Sequence, residues 1–114
     1  MMKITNNIIW VQTYIYKKRV DIDAILFCRA VNHKAEIHFY PEGKLEGVYH
    51  SLAEIESMLP SARFFRCNRQ YIVNLEKVDS YSEKILEVVL INGEKIPLAK
   101  ERKEELLRLL GINC

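Results

Sequence analysis

The chain has 114 residues, enough for one domain with its own core and too few for two ordinary ones. Apolar residues at 49% and charged residues at 28% give a globular balance, which excludes a chain disordered through its body. With 17 Lys and Arg against 15 Asp and Glu the net charge is only +2, so any case for a nucleic-acid partner rests on where the charges sit.

Residues 1–7 are polar and read as a frayed end. Asn7 to Tyr16, NIIWVQTYIY, is rich in β-branched and aromatic residues and predicts a strand. Lys17, Lys18 and Arg19 read as a charged turn, followed by a second strand over Val20 to Cys28. In that run Val20, Ile22 and Ala24 alternate with Asp21 and Asp23, which would place the two carboxylates on one solvated face. A polar stretch with Arg29, Asn32, His33 and Lys34 precedes AEIHFY, which alternates again and stops at Pro41-Glu42-Gly43. Residues 44–49 read as one more strand.

Ser51-Leu-Ala-Glu54 matches a capping box, with Leu52, Ile55 and Leu59 on one face of a helix that ends by Pro60. FFRCNRQYIV, from Phe64 to Val73, reads as strand, polar interruption, strand. ILEVVLI, from Ile85 to Ile91, is followed by Asn92-Gly93 and then IPLA, a strong hairpin signal. A last helix is expected over about Lys100 to Leu110, with Gly111 as its left-handed cap. The elements predict seven or more strands, a short central helix and a C-terminal helix, in one domain over 1–114 with its core at about 7–110. There is no βαβ alternation and no repeat, so the fold class is mostly antiparallel β.

Catalytic chemistry is hard to find. The chain contains no G-x-G-x-x-G, P-loop, H-E-x-x-H or G-x-S-x-G motif. His33, His38 and His50 lack ligand spacing, and Cys28, Cys67 and Cys114 lack C-x-x-C spacing. No catalytic residue, metal or cofactor is therefore expected, and the cysteines read as free thiols in a reducing cytoplasm. No apolar run approaches the roughly 18 residues of a membrane span.

The informative segment is Arg63 to Leu75, RFFRCNRQYIVNL, with Arg63, Arg66 and Arg69 and no acidic residue until Glu76. Arg, Asn and Gln are the side chains that grip guanine and adenine edges through two hydrogen bonds, and Asn68, Arg69 and Gln70 are consecutive here. A further basic cluster, Lys100, Arg102 and Lys103, opens the last helix, where backbone amides attract phosphate. Glu101, Glu104 and Glu105 dilute it.

RFFRCNRQYIVNLEKV resembles the signature of the LytTR DNA-binding domain family, the output domain of bacterial response regulators. LINGEKIPLAKERKEELLRLL is similar to that family's closing hairpin and helix, DIDAILFC to its early strand and SLAEIESMLP to its central helix. The resemblance covers about residues 20–110. It implies an elongated fold of short antiparallel sheets whose loops enter successive major grooves of duplex promoter DNA, often as two copies on a direct repeat. By position it implies contacts from Asn32, His33 and Lys34, from Arg66, Asn68, Arg69 and Gln70, and from Lys100 and Arg102. Asn68, Gln70 and Ala99 depart from the signature, which often has His, Ser and Ser there. DNA binding survives these changes because Asn and Gln also read bases. The rival reading is an RNA-binding or protein-interaction β module, and an RNA binder would need exposed aromatics to stack on bases.

Overall fold

The computed structural model describes residues 7–112. The expected frayed start, apart from Asn7, and Cys114 lie outside these residues. Within them, ten short strands form three antiparallel sheets.

The first sheet is a hairpin of β1 (Ile8–Gln12) and β2 (Lys17–Asp21). Its turn comes earlier than expected. Tyr16 O accepts from Thr13 N at 2.7 Å, Thr13 Oγ1 at 3.0 Å and Gln12 Nε2 at 3.2 Å, which closes the chain around Tyr14-Ile15. Lys17, Lys18 and Arg19 are therefore paired strand residues opposite Gln12, Val11 and Trp10. The expected strand Val20–Cys28 is also split. Asp21 accepts from Asp23 N at 3.1 Å, a local side-chain bond that competes with strand pairing and winds Ile22–Ala24 into a 3-10 turn. Asp21 and Asp23 thus do not share a strand face, and Asp23 pairs with Arg63 at 2.6 Å.

After this turn come β3 (Ile25–Val31), β4 (Lys34–Phe39) and β5 (Lys44–Leu45). Then follow α1 (Leu52–Met58), β6 (Phe64–Asn68) and β7 (Tyr71–Asn74). The strand expected over 44–49 keeps only two residues, and Gly47 at φ +71° ends any extension. The capping box of α1 is closed in both directions, Glu54 N to Ser51 Oγ at 3.1 Å and Ser51 N to Glu54 Oε1 at 2.8 Å. Strands β3 to β7 form one sheet in the order β5-β4-β3-β7-β6.

The third sheet joins β8 (Val78–Ser82), β9 (Glu87–Leu90) and β10 (Lys95–Pro97) in the order β10-β9-β8. Its β9–β10 turn holds Asn92-Gly93, with Gly93 at φ +91°. A 3-10 turn over Lys100–Arg102 leads into α2 (Lys103–Leu110), which ends at Gly111 with φ +75°.

The central sheet is buried on both faces, and adjacent residues of one strand serve different cores. Ile72 packs with Ile25, Cys28, Ile37 and Phe64 under α1 and the first hairpin. Val73 packs with Leu26, Phe27, Phe65 and Cys67 against the third sheet and Leu106 of α2. This two-sided burial explains the near-continuous apolar runs of β3 and β7.

Asn74, fully buried, donates to Ile25 O at 2.8 Å and accepts from Glu76 N at 3.0 Å, tying β7 to the start of β3. Asn74→Ala should cost about 1–3 kcal/mol, more than the ~1 kcal/mol expected for Ser51→Ala, when both are followed by urea unfolding. Glu36 is buried on β4 and accepts from Arg29 Nε at 2.9 Å and meets His38 Nε2 at 2.7 Å. Burial by itself would raise its carboxyl, but the hydrogen bonds with His38 and Arg29 outweigh it and hold the group below its ordinary value. A carboxyl depressed in the fold contributes stability above its unfolded value, roughly pH 4, and loses it as pH falls through the folded one. The stability gap between wild type and Glu36→Gln, measured by urea unfolding, should therefore be largest near neutrality and shrink below about pH 4.

Candidate nucleic-acid interface

Strand register alone brings two turns to one end of the central sheet. Val31 pairs with Lys34, Arg29 with Tyr71, and Asn68 with Tyr71. The β3–β4 turn and the β6–β7 turn therefore leave the sheet side by side, and Ala30 N donates to Gln70 O at 2.9 Å between them.

The first turn consists of Asn32 and His33, at φ +52° and +70°. Two successive left-handed residues match the twist of the flanking strands, and Asn and His are among the non-glycine residues found there most often. Glycine would fit the second position with less strain, but it would remove the exposed imidazole from the apex.

The second turn is built around Arg66 and Asn68. A register shift between them turns the chain out of the ladder. Arg66 donates from Nε to Asn68 O at 3.0 Å and from Nη2 to Arg69 O at 2.7 Å, while Nη1 meets Glu56 of α1 at 2.9 Å. Asn68 accepts from Gln70 N at 2.7 Å and donates to Pro97 O at 2.6 Å. Its amide is committed at both ends. Between the braces, Arg69 and Gln70 are exposed, and the Arg69 guanidinium has no hydrogen-bond or ion-pair partner among the described residues.

The third segment, Pro97 to Arg102, is fastened to the second. Ala99 N donates to Cys67 O at 2.9 Å, and Arg102 Nε donates to Arg66 O at 3.0 Å with its guanidinium 4.5 Å above the Phe65 ring. The three segments enclose an open groove of about 1080 Å³. Asn32 and His33 line it from the first turn, Arg66, Asn68, Arg69 and Gln70 from the second, and Arg102 from the third.

Lys34 and Lys100 do not line this groove. Lys34 borders an adjoining hollow of about 300 Å³ that shares His33, with Nζ 4.0 Å from the centre of the Tyr49 ring. Lys100 is exposed at the start of the third segment. Other cations of the same sequence clusters sit elsewhere. Arg29 is a strand residue paired with Glu36, and Arg63, at the far end of β6, pairs with Asp23 at 2.6 Å and Glu76 at 3.3 Å. Lys103 lies 3.9 Å from Glu83. Glu101, which in the sequence reads only as dilution of a basic cluster, also lines the groove.

Burial pushes the Cys28 and Cys67 thiols up to about 12, so neither is a thiolate near neutral pH, and both are free. Among the described residues no His, Cys, Asp and Glu gather in the numbers a metal site needs, and no helix is long and apolar enough to cross a membrane.

The family model for the LytTr DNA-binding domain matches residues 17–111. Sensory transduction protein LytT of Enterococcus faecalis is 29% identical over an alignment of 66 positions, which covers 55% of this chain and only 27% of that relative. A solved LytTr DNA-binding domain from Bacillus cereus superposes with a TM-score of 0.73 at 24% identity, covering 93% of this chain and 98% of that one, and so shares the fold. With its match running from β2 through α2, the chain belongs to the LytTR family of DNA-binding domains.

Proposed function

We propose that this domain reads duplex promoter DNA with the end of its central sheet, as the output module of a bacterial transcriptional regulator in the cytoplasm. The observation that carries the reading is the groove, which joins an unpartnered Arg69 and an exposed Gln70 to the Asn32-His33 apex on one rigid frame. The nine candidate residues divide by what their polar atoms already do. Arg66 and Asn68 spend theirs on the frame and Arg102 commits its Nε there, so all three hold the reading surface in shape. Arg69 and Gln70 present free donors to base edges in the major groove, with Asn32 and His33 beside them. Lys34 and Lys100 flank the groove and meet phosphate.

Two copies on a direct repeat of promoter DNA would double this contact. The groove has no catalytic constellation. It offers RNA bases little to stack on, because Tyr71, its one Phe, Tyr or Trp, is half-buried beside Phe27.

A duplex recovered by selection from a random pool tests the assignment. Arg69→Ala should cost about 1–3 kcal/mol on that duplex and relax preference at one position. Lys100→Ala removes the same charge, yet should weaken all sequences alike and make the log–log salt slope shallower by about 0.9. Equal losses from Arg69→Ala on the selected duplex and on its one-base mutants would reassign Arg69 to phosphate. Preference for single-stranded RNA over duplex DNA would overturn the reading as a whole.

His33→Gly supplies a separate check. It relieves a left-handed non-glycine residue, so thermal stability should hold or rise by up to about 1 kcal/mol while duplex affinity falls. Unchanged affinity would mean that the His33 ring serves the turn and not the DNA.

A further inference from the structure

The hairpin β1–β2 carries features that the groove does not use. Trp10, Tyr14, Ile15 and Tyr16 are 60%, 79%, 67% and 67% exposed. Large exposed apolar side chains scattered singly need no explanation, but four on one hairpin do. They adjoin Lys17, Lys18 and Arg19, all exposed and without an ion-pair partner among the described residues. From Ile8 to Arg19 there is no acidic residue.

This hairpin is not a loose arm. Val11 and Val20 are in the core, Tyr49 N donates to Gln12 O at 2.7 Å, and Gln12 N donates to His50 Nε2 at 3.0 Å. Its apex also continues the surface of the groove. The Tyr14 ring meets Tyr49 edge-on at 6.4 Å, Lys34 Nζ lies over the other ring of that pair, and Lys34 follows His33 directly in sequence. A strip of tyrosines and cations thus runs from the reading turn to the hairpin tip. The carboxylate that borders the hollow along it, Glu54, is engaged by Ser51 N and lies 3.7 Å from His50 Nδ1.

We propose that the apex of this hairpin is a further DNA contact, gripping the sugar–phosphate backbone beyond the base pairs read in the groove. Lys, Arg and Tyr are among the side chains that bind phosphate oxygens, and such contacts fix register without reading sequence. Charge complementarity favours a polyanion over an apolar partner, and continuity with Lys34 makes it the same duplex. The inference rests on the proposed DNA reading and extends it.

The test uses the selected duplex in two lengths, one trimmed to the footprint of the groove and one longer by about ten base pairs, one helical turn, at each end. Lys17→Ala/Lys18→Ala is compared with Lys84→Ala/Lys95→Ala, which removes equal charge from the third sheet. Tyr14→Ala is measured alongside, and melting curves check the fold of each variant. On the long duplex, the Lys17/Lys18 variant should lose tenfold or more in affinity and nearly two units of salt slope, at about 0.9 per phosphate. On the trimmed duplex it should match wild type, and the Lys84/Lys95 variant should match wild type on both. Equal behaviour of the two double variants on the long duplex would overturn the proposal. So would loss of binding to anionic phosphatidylserine vesicles with duplex binding intact, which would assign the apex to a membrane surface. If wild type binds neither duplex, the DNA reading itself has failed, and with it this extension. If it binds both and the hairpin variant is silent, only the extension falls.

Discussion

Two-sided burial of the central sheet is the constraint on which the other features depend. In β7, Ile72 faces one core and Val73 the other, and in β3 Cys28 faces the first while Phe27 faces the second, with Leu26 joining Phe27 at a register shift. A one-residue slip would exchange the two sets, so the register is strongly specified. That register sets Arg29 against Tyr71 and Val31 against Lys34, which is what places the two turns side by side. The position of the candidate interface thus follows from apolar packing some distance from it.

The polar residues of the signature then divide between holding and reaching. Arg66 links Asn68 O, Arg69 O and Glu56 of α1, while Asn68 and Arg102 link the second turn to the segment ahead of α2. A surface fixed in this way loses little conformational freedom on binding, and that raises affinity without further contacts. The exposed side chains between these braces are the ones left to meet a ligand. Two neighbouring polar residues, Asn68 and Arg69, thus differ in the structure, one committed at both ends of its amide and the other exposed, although they look equivalent in sequence.

Much of the fold was legible in the sequence. The capping box at Ser51, the Asn92-Gly93 turn and the Gly111 cap each carry a local signal with a mechanism, and each is present. The misreadings arose where local bonds override periodicity. Asp21 breaks an alternating run through its own side chain, and Thr13 with Gln12 closes a hairpin ahead of the charged residues. Strand β8, VDSYS, gave no signal because only Val78 in it is aliphatic and the pairing with β9 is supplied by tertiary context. At the candidate site, residue type and spacing picked out the segment around Arg69. They could not show which side chains were already engaged, since partners such as Pro97 O and Glu56 come from distant parts of the chain. The same limit hid the pairing of Arg63 with Asp23 and Glu76, which removes it from the basic surface.

The central claim is that one end of the central sheet meets the duplex. Backbone amide shifts in a nuclear magnetic resonance titration with duplex DNA test it most directly, because they report on both ends of the sheet at once. The account predicts that the largest changes fall on residues 32–34, 68–70 and 99–102, with little change at residues 40–43 or around Leu75 at the opposite end. Shifts concentrated at that opposite end, with Asn32, Arg69 and Gln70 unmoved, would contradict it.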